Sequence, residues 1–136
     1  MIPVLNRLAA NVLPRWLVAS SVKNVYGDPA KVSEETIDRY FAMTVREGNR
    51  HALLERFRQA PPGAMAHRIS EVRVPTLILW GARDRLIPPA MAARFHRDIA
   101  GSELVIFDDL GHVPQEEDPW QTVAAVQAFL GPPAKP

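Results

Sequence analysis

Two residues of this 136-residue chain have types and placements that could do chemistry together. Asp84 stands in Gly81-Ala82-Arg83-Asp84, just after a short apolar run that reads as a strand. His112 stands in Asp109-Leu110-Gly111-His112, just after a second such run. In open parallel sheets, catalytic groups gather at the carboxyl ends of strands. Sequential strands are usually neighbours, so both side chains would share one sheet edge. A carboxylate there can accept a ring N–H of the imidazole, fix its tautomer and stabilise its protonated form. The other ring nitrogen is then a general base. Each signal alone has a plainer reading. Gly-x-x-Asp after a strand also describes a turn closed by an Asx hydrogen bond, and a loop histidine is often solvated. The pair, separated by one helix and one strand, is the stronger signal.

The other reactive residue types offer less. There is no Cys, which excludes disulfides, thiolate metal sites and thiol nucleophiles. His51 and His96 fall on helical stretches among arginines, and His67 adjoins Arg68, so solvated positions are expected. None has an acid at metal-ligand spacing, so neither a metal nor any other cofactor is expected. Arg83 and Arg85 flank Asp84, either as solvated turn residues or around the mouth of a site. Trp80 is read as core rather than as a substrate wall.

The elements that must position Asp84 and His112 are readable in the second half. Val74 to Trp80 is continuously apolar apart from Pro75 and Thr76, and Gly81 stops it. Unbroken apolarity predicts a strand buried on both faces. Pro88-Pro89 opens a helix with Met91, Ala92, Phe95 and Ile99 on one face, ended by Gly101. Ser102 to Phe107 is a second strand. Asp118-Pro119 caps a last helix with Val123, Val126 and Leu130 on one face. The order β-α-β-α implies parallel strands with right-handed crossovers.

The first half reads as helices alone. Pro14 suits a first helical position, and Leu17, Val18, Ser21, Val22 and Val25 follow as one face, ending at Gly27-Asp28-Pro29. Ser33 is an N-cap candidate with Glu34 and Glu35 in the first turn. Ile37, Tyr40, Phe41, Thr44 and Val45 follow at helical spacing, with Gly48 as the stop. A third helix, about Arg50 to Arg58, carries Leu53, Leu54 and Phe57. These stripes are expected to pack in a core. The character changes near Pro61-Pro62-Gly63, which divides the chain into a helical segment, 1–63, and an α/β segment, 64–131. Residues 132–136 form a Pro-rich tail, expected to be disordered.

Composition bounds the class. Hydrophobic residues make up 47% and charged residues 23%, as in an ordinary globular domain. Sixteen basic against 15 acidic residues leave a net charge of +1, which argues against a partner such as nucleic acid or an anionic membrane. No apolar run approaches the roughly 18 residues a membrane span needs. Arg7, Pro14 and Arg15 interrupt the apolar start, so no cleaved signal is expected and a cytoplasmic location is.

From about Val72 to Leu130 the chain resembles the C-terminal part of an α/β-hydrolase. Val74-Pro75-Thr76-Leu77-Ile78-Leu79-Trp80-Gly81-Ala82-Arg83-Asp84, continued by Leu86-Ile87-Pro88, is similar to that family's seventh strand and acid turn. Gly111-His112-Val113-Pro114-Gln115-Glu116-Glu117-Asp118-Pro119 resembles its histidine loop and the entry to its final helix. The helical first half is similar to the cap inserted before the seventh strand. The resemblance implies an α/β fold with two parallel strands, flanking helices and an N-terminal helical cap segment. It also implies that Asp84 is the triad acid and His112 the base.

The third triad member is missing. The family's nucleophile, Ser or in some members Asp, sits on a Gly-x-Ser-x-Gly elbow that precedes the cap. Ser20, Ser21, Ser33, Ser70 and Ser102 all lack those glycines, and so does every Asp. The early strands with the oxyanion loop are absent too. The chain is therefore expected to be a truncated reading frame, a fragment or a subunit needing a complement, and inactive alone. Completed by a nucleophile, it would act on a small organic substrate such as an ester. The alternative is a non-catalytic association module. In either case the unpaired edge of the first strand invites a homodimer.

Overall fold

The computed structural model describes residues 13–59 and 63–132. The proposed boundary at Pro61-Pro62 and most of the proposed tail lie outside the described residues. Three helices come first: α1 (Arg15–Val25), α2 (Glu34–Val45) and α3 (Asn49–Gln59). They are followed by β1 (Leu77–Gly81), α4 (Ala90–Asp98), β2 (Glu103–Phe107), the single turn α5 (Pro114–Glu117) and α6 (Pro119–Leu130). Short 3-10 turns occupy Pro29–Lys31 and Ala66–Glu71.

Local chemistry explains most boundaries. Ser33 caps α2 by accepting the Thr36 N–H at 3.1 Å, with Glu34 and Glu35 in the first turn. Asp118 caps α6 through the Gln121 N–H at 3.0 Å. Pro14 is the residue before α1 rather than its first residue. Gly48, expected to end α2, instead takes a positive φ of 82° in the turn before α3, because α2 already stops at Val45.

The two strands pair in parallel, Leu77 opposite Glu103 and Gly81 opposite Phe107. β1 begins three residues later than the sequence suggested. Pro75 has no N–H to give to a ladder, and the Thr76 hydroxyl turns back to the Val74 carbonyl at 2.9 Å. Two-sided burial of β1 is not reached: only Ile78 and Gly81 are buried. Helix α4 packs on both strands and α6 against β1.

Burial corrects several expectations. Val18, Val22 and Tyr26 form a buried cluster on α1 and its exit, joined by Tyr40 and Phe41 of α2. Ile37 is fully buried. Leu53, Leu54 and Phe57 of α3 are exposed, as are Leu17 and Val45, because no described element lies over them. On α6 the apolar face of Val123, Val126 and Leu130 is exposed. Thr122 is buried instead, with Ala125 and Phe129 half-buried beside it. Val113, next to His112, packs against the helical cluster, so the loop carrying His112 rests on the first half of the chain.

Candidate active site

The turn after β1 is built by backbone hydrogen bonds to the loop after β2. Ala82 N–H donates to the Phe107 carbonyl and Arg83 N–H to the Leu110 carbonyl, both at 2.9 Å. This brings Asp84 to His112, whose Nδ1 lies 2.9 Å from Asp84 Oδ2. The other carboxylate oxygen, Oδ1, accepts the N–H groups of Leu86 at 2.8 Å and Ile87 at 2.9 Å. The two readings of this aspartate are therefore compatible. One oxygen closes an Asx-type turn and the other holds the imidazole.

The environment sets the charges. The Asp84 side chain is 3% exposed and the His112 ring 30%. Burial pushes the Asp84 carboxyl up, but the hydrogen bonds from Ile87, His112 and Leu86 outweigh it and hold the group below the usual carboxylate range. An ionised Asp84 requires Nδ1 of His112 to carry the proton. In the neutral ring, Nε2 then keeps its lone pair and can take a proton from a third group.

The other candidates are not brought into this pair. Ser102 is buried at the start of β2, the end opposite the histidine loop, and its hydroxyl lies 3.0 Å from His96 Nδ1. Ser20 and Ser21 are exposed on α1, and Ser21 Oγ donates to the Leu17 carbonyl at 3.0 Å. His51 and His67 are exposed on α3 and in the turn before β1. Among the described residues no three His, Asp or Glu side chains come together in a way that could hold a metal ion. Trp80 is half-buried against Phe95, ring centroids 6.2 Å apart. It lines a cavity of about 680 Å³ with Met65, Ile69, Ile87 and Met91, and neither Asp84 nor His112 is part of that lining.

The family model of the alpha/beta hydrolase family matches residues 2–126. The chain belongs to the alpha/beta hydrolase family. The expectation drawn from the acid turn and the histidine loop is thereby confirmed. An uncharacterized hydrolase of Bacillus subtilis (strain 168), YugF, is 29% identical over 111 residues, 79% of this chain and 41% of the relative. A 2-hydroxy-6-oxononadienedioate/2-hydroxy-6-oxononatrienedioate hydrolase of Klebsiella pneumoniae is 48% identical over 50 residues, 37% of this chain and 17% of the relative. The solved structure of a serine hydrolase involved in carbazole degradation, the CarC enzyme, superposes with a TM-score of 0.74 at 26% identity. It covers 86% of this chain, which spans 47% of that one. The chain thus spans less than half the length of each of these relatives.

Sequence reading missed the residues that brace the Asp84–His112 pair. Arg85, considered as a solvated or mouth residue, donates to the Tyr26 carbonyl at 2.8 Å and the Gly27 carbonyl at 3.1 Å. Arg83 pairs with Asp109 across the two loops. Glu116 accepts the Tyr40 hydroxyl at 2.9 Å, the Tyr26 hydroxyl at 3.3 Å and an Arg39 N–H at 2.9 Å. Glu117 accepts from the backbone of the histidine loop and of the loop that leaves α1. An acidic pair at the start of a helix is ordinarily read as a complement to the helix dipole, so nothing local marked either glutamate.

This bracing is pH-sensitive. Burial, then the Glu116 carboxylate, pushes the Tyr40 phenol up to about 12, and the same two causes raise Tyr26. The folded state favours the neutral phenol, so the stabilisation is fully present below the unfolded value of 10. It is lost as pH rises from there through the folded value. Urea denaturation at pH 9 and at a pH between 10 and 12 is expected to show this fall. Tyr40→Phe should reduce it, and an equal fall in that variant would contradict the assignment.

Proposed function

We propose that Asp84 and His112 are the acid and the base of a hydrolytic triad. The nucleophile comes from residues other than these 136. The observation that carries the reading is the 2.9 Å contact between His112 Nδ1 and a carboxylate whose second oxygen is fixed by two backbone N–H groups. In this reading Nε2 of His112 removes the nucleophile's proton as it attacks a carbonyl carbon, and Asp84 stabilises the imidazolium that forms. The proton passes to the leaving group, and a water molecule then releases the acyl portion with His112 as base again. Similarity to an oxononadienedioate hydrolase supports a small organic substrate bearing carbonyl oxygens. Esters are the simplest probes of that class.

The isolated chain should turn over nitrophenyl acetate no faster than background, because none of its serines lies on a Gly-x-Ser-x-Gly elbow. Grafted behind the nucleophile-bearing part of the CarC enzyme, it should restore turnover that His112→Ala abolishes. Ester hydrolysis by the isolated chain that His112→Ala removes would refute the placing of the nucleophile. Turnover in the graft that ignores His112→Ala would refute the role of the pair.

The association reading has its own support. Trp120 is 84% exposed, and Val123 and Leu130 of the same helix are exposed as well. One edge of β1 is unpaired among the described residues. Such surfaces mark contacts with other polypeptide. Without its complement, the chain should pair with a second copy. Sedimentation equilibrium over a micromolar concentration series should show mass rising above 15.2 kDa. A constant monomer mass across the series would remove this reading.

A further inference from the structure

Helix α5 begins immediately after the histidine loop, and its last residue, Glu117, reaches across to the other half of the chain. Glu117 Oε1 accepts the Gly111 N–H at 2.6 Å. Oε2 accepts the Gly27 N–H at 2.8 Å and the Asp28 N–H at 3.4 Å. All three of these donors are backbone N–H groups on a carboxylate acceptor. Such charge-assisted bonds are the stronger kind. The adjacent His112 N–H donates to the Val25 carbonyl at 2.7 Å. Both N–H groups of Gly111-His112 are therefore tied to the loop that leaves α1, one directly and one through Glu117.

The backbones must touch for one carboxylate to bridge them. A Cβ on Gly27 would lie 2.6 Å from the Asp109 carbonyl oxygen and 2.8 Å from the Gly111 nitrogen. A Cβ on Gly111 would overlap the Gly27 nitrogen. From the acid side, Arg85 grips the Tyr26 and Gly27 carbonyls of the same loop. The acid turn and the histidine loop thus take their positions from one segment, Val25-Tyr26-Gly27-Asp28, of the helical half.

We infer that Glu117 is a positioning residue for His112: it clamps the histidine loop to the exit of α1 and so sets the approach of the imidazole to Asp84. The inference rests on the Asp84–His112 reading above and adds to it the residue that orients the base. It also makes the helical half part of the catalytic frame, in addition to any part it plays in covering substrate.

Nuclear magnetic resonance of the full chain, labelled with nitrogen-15, tests it without requiring turnover. A proton shared between His112 Nδ1 and Asp84 should resonate far downfield and exchange slowly. Glu117→Gln preserves side-chain volume but presents an NH₂ group to N–H donors. It should melt cooperatively yet lose the downfield proton, and the Gly111 amide should exchange at least ~10-fold faster, as expected when an N–H loses its acceptor. Glu103→Gln, at an exposed carboxylate at the start of β2, should retain the proton. A wild-type spectrum without that proton overturns the Asp84–His112 reading and this inference with it. A wild type that has it and a Glu117→Gln that keeps it overturn the role of Glu117 alone. If Glu117→Gln does not fold, amide exchange in the wild type decides. Gly27, Gly111 and His112 should share one protection factor, and independent exchange of Gly27 and Gly111 overturns the clamp.

Discussion

Asp84→Asn, in a hydrolase completed by its nucleophile, is expected to lower kcat by about 10⁴-fold, the size of effect that a wrong imidazole tautomer produces in a serine triad. The structure explains why so small a change should matter. The amide oxygen can replace Oδ1 and keep the Leu86 and Ile87 N–H groups at their present 2.8 and 2.9 Å. The NH₂ group then faces His112 Nδ1, now 2.9 Å from Oδ2, and donates where the carboxylate accepted. Nδ1 must give up its proton, Nε2 must carry it, and the base is blocked. The turn and the fold survive, so circular dichroism should be unchanged while steady-state turnover collapses. A variant within tenfold of wild type would show that the pair does not act as acid and base.

The second large effect is on stability. Gly111→Ala is expected to lower the melting temperature by roughly 10 °C or more, for a loss of about 3 kcal/mol. A Cβ at this position would fall inside the contact distance of the Gly27 nitrogen and the Val25 carbonyl oxygen, both backbone atoms that cannot swing away. Relief requires separating the histidine loop from α1, which breaks the His112-to-Val25 hydrogen bond and the Glu117 bridge. Gly48→Ala is the control. Its φ of 82° disfavours a side chain, but a Cβ there meets nothing within 4 Å. It should cost only about 1 kcal/mol, the penalty of a left-handed conformation. Thermal melts of the two variants compare these costs directly. Equal shifts would mean that the close approach of the two loops does not contribute.

The acid turn and the histidine loop were legible in the sequence because their signals are local. Gly81 ends an apolar run, Pro88-Pro89 opens the next helix, and Asp118 caps the last, each through the conformational limits of one or two residues. Parallel pairing followed from the alternation of elements, and it puts residues 84 and 112 at one edge of the sheet. The pattern could not say which apolar stripes would be covered. Val123, Val126 and Leu130 repeat as cleanly as a core face, yet α6 turns Thr122 inward. Periodicity records that a face exists, whereas burial depends on what else is folded against it. The bracing of the site was decided by tertiary structure alone. Glu117 meets Gly27 across 90 residues of chain, and Arg85 meets Tyr26 across 59. Hydrogen bonds to backbone N–H and C=O groups carry no side-chain signature at the receiving end, so only the folded chain shows which residues they join.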